Sequence, residues 1–160
     1  MSGKEVYVMR KNHVNRLLVF VLFTCFCLSL TACGGGSSAP KSYKDGTYTG
    51  RSQDHRGDED GNGAGYGEVT IEIKGNKIVS CTFAMYELDG KLKDDSYGTD
   101  LSKENRLKAQ KAVQAAEKYA AKLVEGGTLD SVDAISGATI SYSEFTEAVN
   151  DALGKAAVSN

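Results

Sequence analysis

The sequence predicts an α+β fold in which a small antiparallel sheet is covered by two helices. The first sign is a stretch after residue 66 in which apolar and polar residues alternate, the period of a half-buried strand. The second is the pair Gly75-Asn76, which separates this stretch from another alternating one and is typical of a β-hairpin. The third is a pair of amphipathic segments near the C-terminus, which would cover the apolar face of the sheet.

Two or three strands make up the predicted sheet. The stretch from Asp45 to Gly50 is expected to form a turn that enters a short strand. Residues 66–74 form the next strand and residues 77–87 return antiparallel to it. Cys81 is expected to act on the inner face as a small buried hydrophobe and not as a reactive thiol. The apolar residues expected on the inner faces of these two strands are Val69, Ile71, Ile73, Val79, Cys81, Phe83 and Met85.

Two helices are predicted after the strands. The first extends from Ser102 to Val124, because this segment is rich in good helix formers and ends before Gly126-Gly127. The second is predicted to begin after Ser141, which would act as N-cap and form a capping box with Glu144. The apolar stripe of the first helix comprises Ala109, Ala112, Val113, Ala116, Ala120, Leu123 and Val124. The stripe of the second comprises Phe145, Ala148, Val149, Ala152 and Leu153.

Residues 1–32 are typical of an export signal. A basic flank precedes an apolar run, Leu17 to Leu30, which is too short for a comfortable membrane span. The run ends in "LTAC", which resembles the lipobox of bacterial lipoproteins, where the cysteine is acylated and the chain is cut just before it. The resemblance implies that Cys33 is lipidated, that residues 33–42 form a flexible tether and that residues 43–157 form the folded domain. The alternative is an ordinary secreted protein that is cut near Ala32.

Removal of the signal leaves a mildly acidic domain. The formal net charge changes from −2 to −5, because the signal carries four basic residues and one acidic residue. An acidic balance argues against a nucleic-acid partner.

The residue content of the domain excludes most catalytic sites. His55 is the only histidine after the signal, so a Ser-His-Asp or Cys-His site is not expected. Cys81 is the only cysteine after Cys33, which excludes an internal disulfide. The sequence contains no CxxC, haem-attachment or phosphate-loop pattern. We therefore predict no catalytic residue, and expect that any chemistry depends on a group that the protein carries.

The loop "DHRGDEDGNGAG" resembles the first half of a calcium-binding EF-hand loop. Asp58, Asp60, Asn62 and Gly63 occupy suitable positions in it. Its twelfth position, which should be a bidentate glutamate, is Val69, and no helix is predicted on either side. We therefore predict a solvated hairpin loop without a metal.

The stretch "DAISGATIS", residues 133–141, leads into the second helix. The free amides at a helix start favour a nearby anion, typically phosphate. The hydroxyl of Thr139 lies beside this start, and Gly137 and Ala138 leave room for a large group to reach it. The residues alone leave two readings open, a phosphate-binding helix start with an accessible hydroxyl or a plain loop of small residues before a capped helix.

The segment "DAISGAT" within this stretch resembles the flavinylation motif of the FMN-binding domain family. The family includes flavin subunits of the sodium-pumping NADH:quinone reductase and of the Rnf complex, and lipoproteins of extracellular electron transfer. Its members are similar to this sequence in "YKDGTYTG", in "GEVTIEIKGNKIV" and from "SGATIS" to "EAVNDAL". The resemblance thus covers nearly all of residues 43–156, although the acidic insertion at residues 58–62 is longer than expected.

The resemblance assigns roles to the motif residues. In the family, the last threonine of the motif carries FMN through a phosphodiester, which an FAD-dependent, magnesium-requiring FMN transferase installs. Thr139 would accordingly be the attachment residue, with Ser141 at the helix start beside the phosphate. The residues that the transferase would recognise are Asp133, Ser136, Gly137 and Ala138.

An aromatic side chain is expected to cover the flavin ring. Tyr97 is the first choice, because "DDSYG" resembles an acidic Tyr-Gly stretch of the extracellular electron-transfer lipoproteins. Tyr66, Tyr86 and Tyr142 are the other candidates.

The resemblance implies a lipid-anchored, extracytoplasmic electron carrier on the cell surface or on a periplasmic face. Its electrons would come from a membrane quinol or an NADH dehydrogenase. Three alternatives stay open: a module that binds FMN reversibly, a flavin-free surface lipoprotein, and a reductase of a small acceptor.

Overall fold

The computed structural model describes residues 42–57 and 63–158. The predicted signal, Cys33, nearly all of the tether and the acidic loop at residues 58–62 lie outside the described residues. The described part contains three strands and two helices, with a short 3₁₀ helix at Leu129–Ser131 between the helices. In chain order they are β1 (Gly46–Arg51), β2 (Tyr66–Lys74), β3 (Lys77–Tyr86), α1 (Lys103–Gly126) and α2 (Thr139–Ala156).

The strands form one antiparallel sheet in the order β1-β2-β3. α2 packs on β1 and β2, while α1 packs on β3, and the two helices touch one another. The predicted α+β fold is thereby confirmed. Neither helix in the described ranges combines the length and the apolar character needed to cross a bilayer.

The core lies between the sheet and the helices. Val69, Ile71 and Ile73 of β2 are 1%, 0% and 0% exposed, which confirms the predicted alternation. α2 packs so closely on β1 that a Cβ on Gly50 would lie 2.0 Å from the carbonyl oxygen of Ala148. Only glycine therefore fits at this position. The fully buried residues of α2 include Phe145, Ala148, Val149 and Ala152.

β3 departs from the predicted alternation at its start. A β-bulge opposite Glu72 and Ile73 shifts the register, so that Ile78 pairs with Ile73 and faces the core. The prediction that Val79 faces inward is therefore wrong, and this side chain is 43% exposed. Cys81 is half-buried, and burial raises the pKa of its thiol to about 11, so the reactive thiolate is disfavoured at neutral pH.

α1 agrees closely with its prediction. Ser102 is the N-cap, and its side chain accepts a hydrogen bond from the amide of Asn105. The helix ends two residues later than expected, at Gly126, with Gly127 in the left-handed conformation. Its buried face also includes Ala115 and Tyr119, which the predicted stripe omitted because this helix packs against the loop before α2 as well as against the sheet.

The start of α2 differs from its prediction. The helix begins at Thr139 with Ala138 as N-cap, so Ser141 lies inside the first turn and the predicted N-cap is wrong. Gly137, at φ 79°, turns the chain into the helix earlier than the capping pattern suggested. Glu144 forms no capping box, because its carboxyl group points into the protein and is buried.

Candidate functional site

An apolar cleft of about 260 Å³ lies between the start of α2, the N-terminal half of α1 and the segment that joins β3 to α1. The apolar residues that line it include Met85, Leu101, Ala109, Ala112 and Ile140. Gly137, Ala138, Thr139 and Ser141 form the wall on the α2 side. The cleft thus contains four of the seven predicted cofactor-binding residues, and the side chain of Tyr97 adds a fifth.

Thr139 is the first residue of α2 and is exposed at the cleft. The first helical hydrogen bond that follows Ala138 runs from the amide of Tyr142 to the Ala138 carbonyl, 3.0 Å away. The backbone amides of the first turn therefore have no helical carbonyl to donate to, and no capping side chain accepts a hydrogen bond from them. An uncapped helix start carries partial positive charge, which suits an anion attached at Thr139.

Two tyrosines hold the loop that leads to Thr139. The hydroxyl of Tyr119 donates to the Ala138 carbonyl at 3.2 Å and accepts from the Ile135 amide at 3.0 Å. The hydroxyl of Tyr142 donates to the Val132 carbonyl at 2.8 Å. Burial raises the pKa of Tyr119, so its hydroxyl keeps the proton that it donates. Sequence reasoning missed Tyr119, because an aromatic residue on a helix gives no sign of the loop that it contacts.

Lysines of α1 face the start of α2. A Cβ on Gly137 would lie 3.3 Å from Nζ of Lys111, so this ammonium group is adjacent to the turn before the helix. Lys108, one turn earlier on α1, lines the cleft itself. Both side chains are exposed. The positive charge of Lys111 adds to that of the helix start and further favours an anion beside Thr139, whereas Lys108 forms an ion pair with Glu104 at 3.0 Å.

A buried ion pair forms the polar part of the cleft wall. Nζ of Lys93 lies 4.0 Å from Oε1 of Glu144, and the two side chains are 4% and 1% exposed. Lys93 also donates to the Gly63 carbonyl at 3.2 Å and lies 5.2 Å from the ring centroid of Tyr97. Neither carboxyl oxygen of Glu144 has a hydrogen-bond partner within the described part of the chain.

Burial shifts both groups of this pair toward neutrality. Burial lowers the pKa of Lys93, and the nearby Glu144 and Glu87 carboxylates partly oppose that shift. Burial likewise raises the pKa of Glu144, and the charges of Lys93 and His55 partly oppose it, while Glu147 adds to it. A hydrogen-bonding ligand would find here both a donor and an acceptor in a dry environment.

Glycines at alternate positions make room for the pair. A Cβ on Gly65 would lie 2.6 Å from Nζ of Lys93, and a Cβ on Gly67 would lie 3.0 Å from Cβ of Glu144. The "GAGYG" segment, residues 63–67, therefore allows two long charged side chains to approach the start of β2.

Tyr97 is held in the cleft by its own segment. Gln110 of α1 donates to the carbonyls of Asp95 and Tyr97, at 3.0 and 2.8 Å. Gly98 follows at φ 76°, where a Cβ would lie 2.7 Å from that of Ala109. The segment therefore packs tightly on α1 and presents the half-buried Tyr97 ring to the cleft.

The other predicted residues lie elsewhere. Asp133 is exposed and lines a separate groove, and Ser136 is exposed but does not line the cleft. Tyr66 stacks on Tyr86 at 5.2 Å, and Tyr142 packs against Tyr119 at 5.6 Å, so none of these three candidates lines the cleft. Of the calcium pattern, only Gly63 is described, and the described residues hold no group of acidic, histidine and cysteine side chains suited to a metal.

Comparisons with known proteins agree with this fold. The model of the FMN-binding domain family, described as "FMN-binding domain", matches residues 62–154, which is more than half of the chain. The crystal structure of the CPE2226 protein from Clostridium perfringens is similar in fold, with a TM-score of 0.52 and 20% identity over 71% of this chain and 88% of that one. No curated protein matches the chain.

Proposed function

The chain belongs to the FMN-binding domain family, and from this premise we propose that it carries FMN on Thr139 and relays electrons outside the cytoplasm. FMN binding follows from the family itself, so the protein is a flavoprotein. The covalent bond, the electron relay and the location are the parts proposed. The observation that carries the proposal is the exposed residue Thr139 at an uncapped helix start in the wall of an apolar cleft.

The residues of the cleft fit FMN. The uncapped start of α2 and the nearby lysines suit a phosphate group. The apolar side chains of Met85 and Leu101, with the ring of Tyr97, suit a flat aromatic system. The cavity of about 260 Å³ is open to solvent, so part of the ligand would stay accessible to a redox partner.

Attachment would proceed by phosphoryl transfer. A bond forms between Oγ of Thr139 and the phosphorus of the FMN moiety of FAD, and the pyrophosphate bond of FAD breaks. AMP leaves, and the hydroxyl proton passes to solvent or to a base of the transferase. The resulting phosphodiester keeps one negative charge, which the amides of the first helical turn and Lys111 would stabilise.

The bound flavin would supply electron exchange in steps of one or two, which lets the protein connect a two-electron donor with a one-electron acceptor. The chain itself would place the ring. Tyr119 holds the loop before Thr139, Gln110 holds the segment of Tyr97, and the apolar side chains exclude water from part of the ring. We infer a carrier and not a stand-alone enzyme, because a cavity of about 260 Å³ leaves little room for a second substrate beside the flavin ring.

The proposed location and partners rest on the sequence. The lipobox-like "LTAC" ending at Cys33 supports a lipid anchor on an extracytoplasmic face. An exported protein cannot recover a cofactor that diffuses away, which gives covalent attachment a physical purpose. The proposed partners are an FMN transferase and a membrane quinol or NADH dehydrogenase that donates electrons.

Denaturing dialysis tests the covalent bond. The full chain would be produced with and without an FMN transferase, unfolded in guanidinium and dialysed before its flavin absorbance is measured. We expect flavin to stay with the wild-type chain made with the transferase and to be absent from Thr139→Val. Ser143→Ala serves as the matched control, because Ser143 lies one turn after Thr139 in α2 without lining the cleft, and it should retain the flavin.

The outcomes separate the alternatives. Flavin that is bound before dialysis and lost during it would support reversible binding in place of attachment. A chain that holds no flavin in either state would contradict the carrier proposal. Flavin retained by Thr139→Val would show that the covalent bond is on another residue.

A further inference from the structure

The Lys93–Glu144 pair has features that the fold alone does not explain. Taking two charges out of water is costly, and the geometry here recovers little of that cost, because the 4.0 Å separation is longer than a hydrogen bond. Both oxygens of Glu144 lack a hydrogen-bond partner within residues 42–57 and 63–158. Unpaired buried polar atoms are uncommon, and this pair faces a cleft.

The residues around the Lys93–Glu144 pair leave space for its side chains and hold the ammonium group. Gly65 and Gly67 leave the space that the two side chains occupy, and the Gly63 carbonyl orients the Lys93 ammonium. The rest of the cleft wall includes the apolar side chains of Met85 and Leu101, together with the polar residues Asn105, Lys108, Thr139 and Ser141. The pair therefore offers one acceptor and one donor side by side in the buried part of the wall, which specifies the complementary polar group of a ligand.

FMN contains such a group at one edge of its ring. The pyrimidine edge presents an imide N–H between two carbonyl oxygens, so it offers a donor adjacent to acceptors. The hydroxyls of the ribityl chain are compatible with solvent and can remain near the exposed Thr139. The imide edge belongs to the ring, which enters the apolar cleft and leaves its polar atoms in need of buried partners.

We propose that the Lys93–Glu144 pair binds the imide edge of the flavin ring, with the carboxyl group of Glu144 accepting from the imide N–H and the ammonium of Lys93 donating to the adjacent carbonyl oxygen. This inference rests on the proposed function. It assigns the pair a positioning role and gives Lys93 control over the reduction potential, because the ring gains negative charge next to that carbonyl when it is reduced.

Potentiometry on the attached flavin tests the inference. The full chain would be produced with an FMN transferase as wild type, as Lys93→Met and as the double variant Lys93→Met/Glu144→Leu. The double variant replaces the ion pair by apolar side chains, which proteins often tolerate. Lys122→Met is the matched control, because Lys122 is an exposed lysine of α1 that does not line the cleft. Intact mass would report attachment, and the two-electron midpoint potential would report the environment of the ring.

We expect every protein to carry one FMN and the potential to fall in Lys93→Met. In the double variant the loss of the Glu144 carboxylate opposes this fall, so its potential should lie between those of Lys93→Met and wild type. The expected fall corresponds to at least a tenfold change in the ratio of reduced to oxidised flavin, about 30 mV for a two-electron couple. Lys122→Met should leave the potential at the wild-type value. A loaded Lys93→Met protein with an unchanged potential would overturn the inference while leaving the proposed function intact. A wild-type chain without flavin would refute the proposed function itself.

A second measurement needs no variant. In wild-type protein loaded with ¹⁵N-labelled FMN, an imide N–H that is bound to Glu144 should exchange slowly with solvent and should show magnetisation transfer to side-chain protons of Glu144 or Lys93. An imide proton that exchanges as fast as in free FMN would contradict the inference, even if no Lys93 variant could be purified.

Discussion

The two helices begin in opposite ways. At the start of α1 the side chain of Ser102 accepts a hydrogen bond from the amide of Asn105, at 3.3 Å. The N-cap of α2 is Ala138, and that helix has no side-chain cap. Glu104 of α1 pairs with Lys108 at 3.0 Å in solvent, with side chains 79% and 67% exposed. The glutamate near the start of α2, Glu144, is instead buried with Lys93.

The difference between the two helix starts indicates that the start of α1 is built for stability and the start of α2 for ligand binding. The start of α1 satisfies its own backbone and charges locally, as expected of a helix that serves the fold. The start of α2 leaves its amides without a cap and encloses a charged pair with unpaired oxygens, at a cost to the protein without ligand. Substitutions at the start of α2 should therefore have larger consequences than matched ones at the start of α1.

The largest effect on stability is expected from Lys93→Met. Removing one partner of a buried ion pair typically costs about 3–5 kcal/mol, and we expect a loss of this order at pH 8. The loss should be smaller at pH 5. Burial already raises the pKa of Glu144 above its ordinary value, and removing the Lys93 charge raises it further.

The pH dependence follows from proton linkage. In Lys93→Met the pKa of Glu144 is higher in the folded chain than in the unfolded chain. At pH values between the two, the folded chain holds a proton on Glu144 that the unfolded chain has released. The free energy of unfolding therefore falls as the pH rises from the ordinary glutamate pKa to the raised one. Urea unfolding at pH 5 and pH 8 measures the difference relative to wild type. Replacing Glu144 with leucine as well should remove the pH dependence, and an equal loss at both pH values would contradict this account.

Tyr119→Phe is expected to have the next largest effect. The uncapped start of α2 depends on this hydroxyl, and its removal leaves the Ile135 amide and the Ala138 carbonyl without that partner. The cost should be about 1–3 kcal/mol in the free energy of unfolding, with faster hydrogen exchange at Ile135. Tyr142→Phe, which affects only the Val132 carbonyl, should cost less. Unchanged exchange at Ile135 would show that the loop does not depend on Tyr119.

Ser102→Ala should have a moderate effect. Loss of this N-cap is expected to destabilise the protein by about 1 kcal/mol in urea unfolding. The attached FMN should be unaffected, because Ser102 itself does not line the cleft. Reduced attachment in a folded Ser102→Ala protein would show that the two helix starts are not as distinct as proposed.

Glu104→Gln should have the smallest effect. Its ion pair with Lys108 is exposed, so the change should lie within about 0.5 kcal/mol of wild type. Glu144→Gln, the same change in a buried position, should be distinguishable from it in urea unfolding. Equal effects at the two positions would contradict the contrast drawn between the helix starts.

Sequence patterns predicted the fold better than the details of the site. The alternation of Val69, Ile71 and Ile73 and the glycines after α1 report local constraints, and local constraints set the strands and the helix ends. The bulge that turns Val79 outward depends on how β3 pairs with β2. The residue pattern of β3 alone does not predict this pairing.

Glu144 illustrates how one pattern can obscure another. Its spacing from Ser141 suggested a capping box, yet it also lies four residues before Ala148, on the apolar stripe of α2. That second reading would have indicated burial. The burial of Lys93, in the loop "DGKLKDD", could not be predicted from its neighbours, because the residues that enclose it are distant in the chain. The alternate glycines at 63, 65 and 67 were the one available sign of a close approach.

The most direct test of the central claim is the intact mass of the full chain produced with an FMN transferase, followed by fragmentation of the peptide that contains Thr139. We predict a mass gain of one FMN less one water, located on Thr139 and absent from Thr139→Val. No gain in the presence of an active transferase, or a gain located on another residue, would contradict the account.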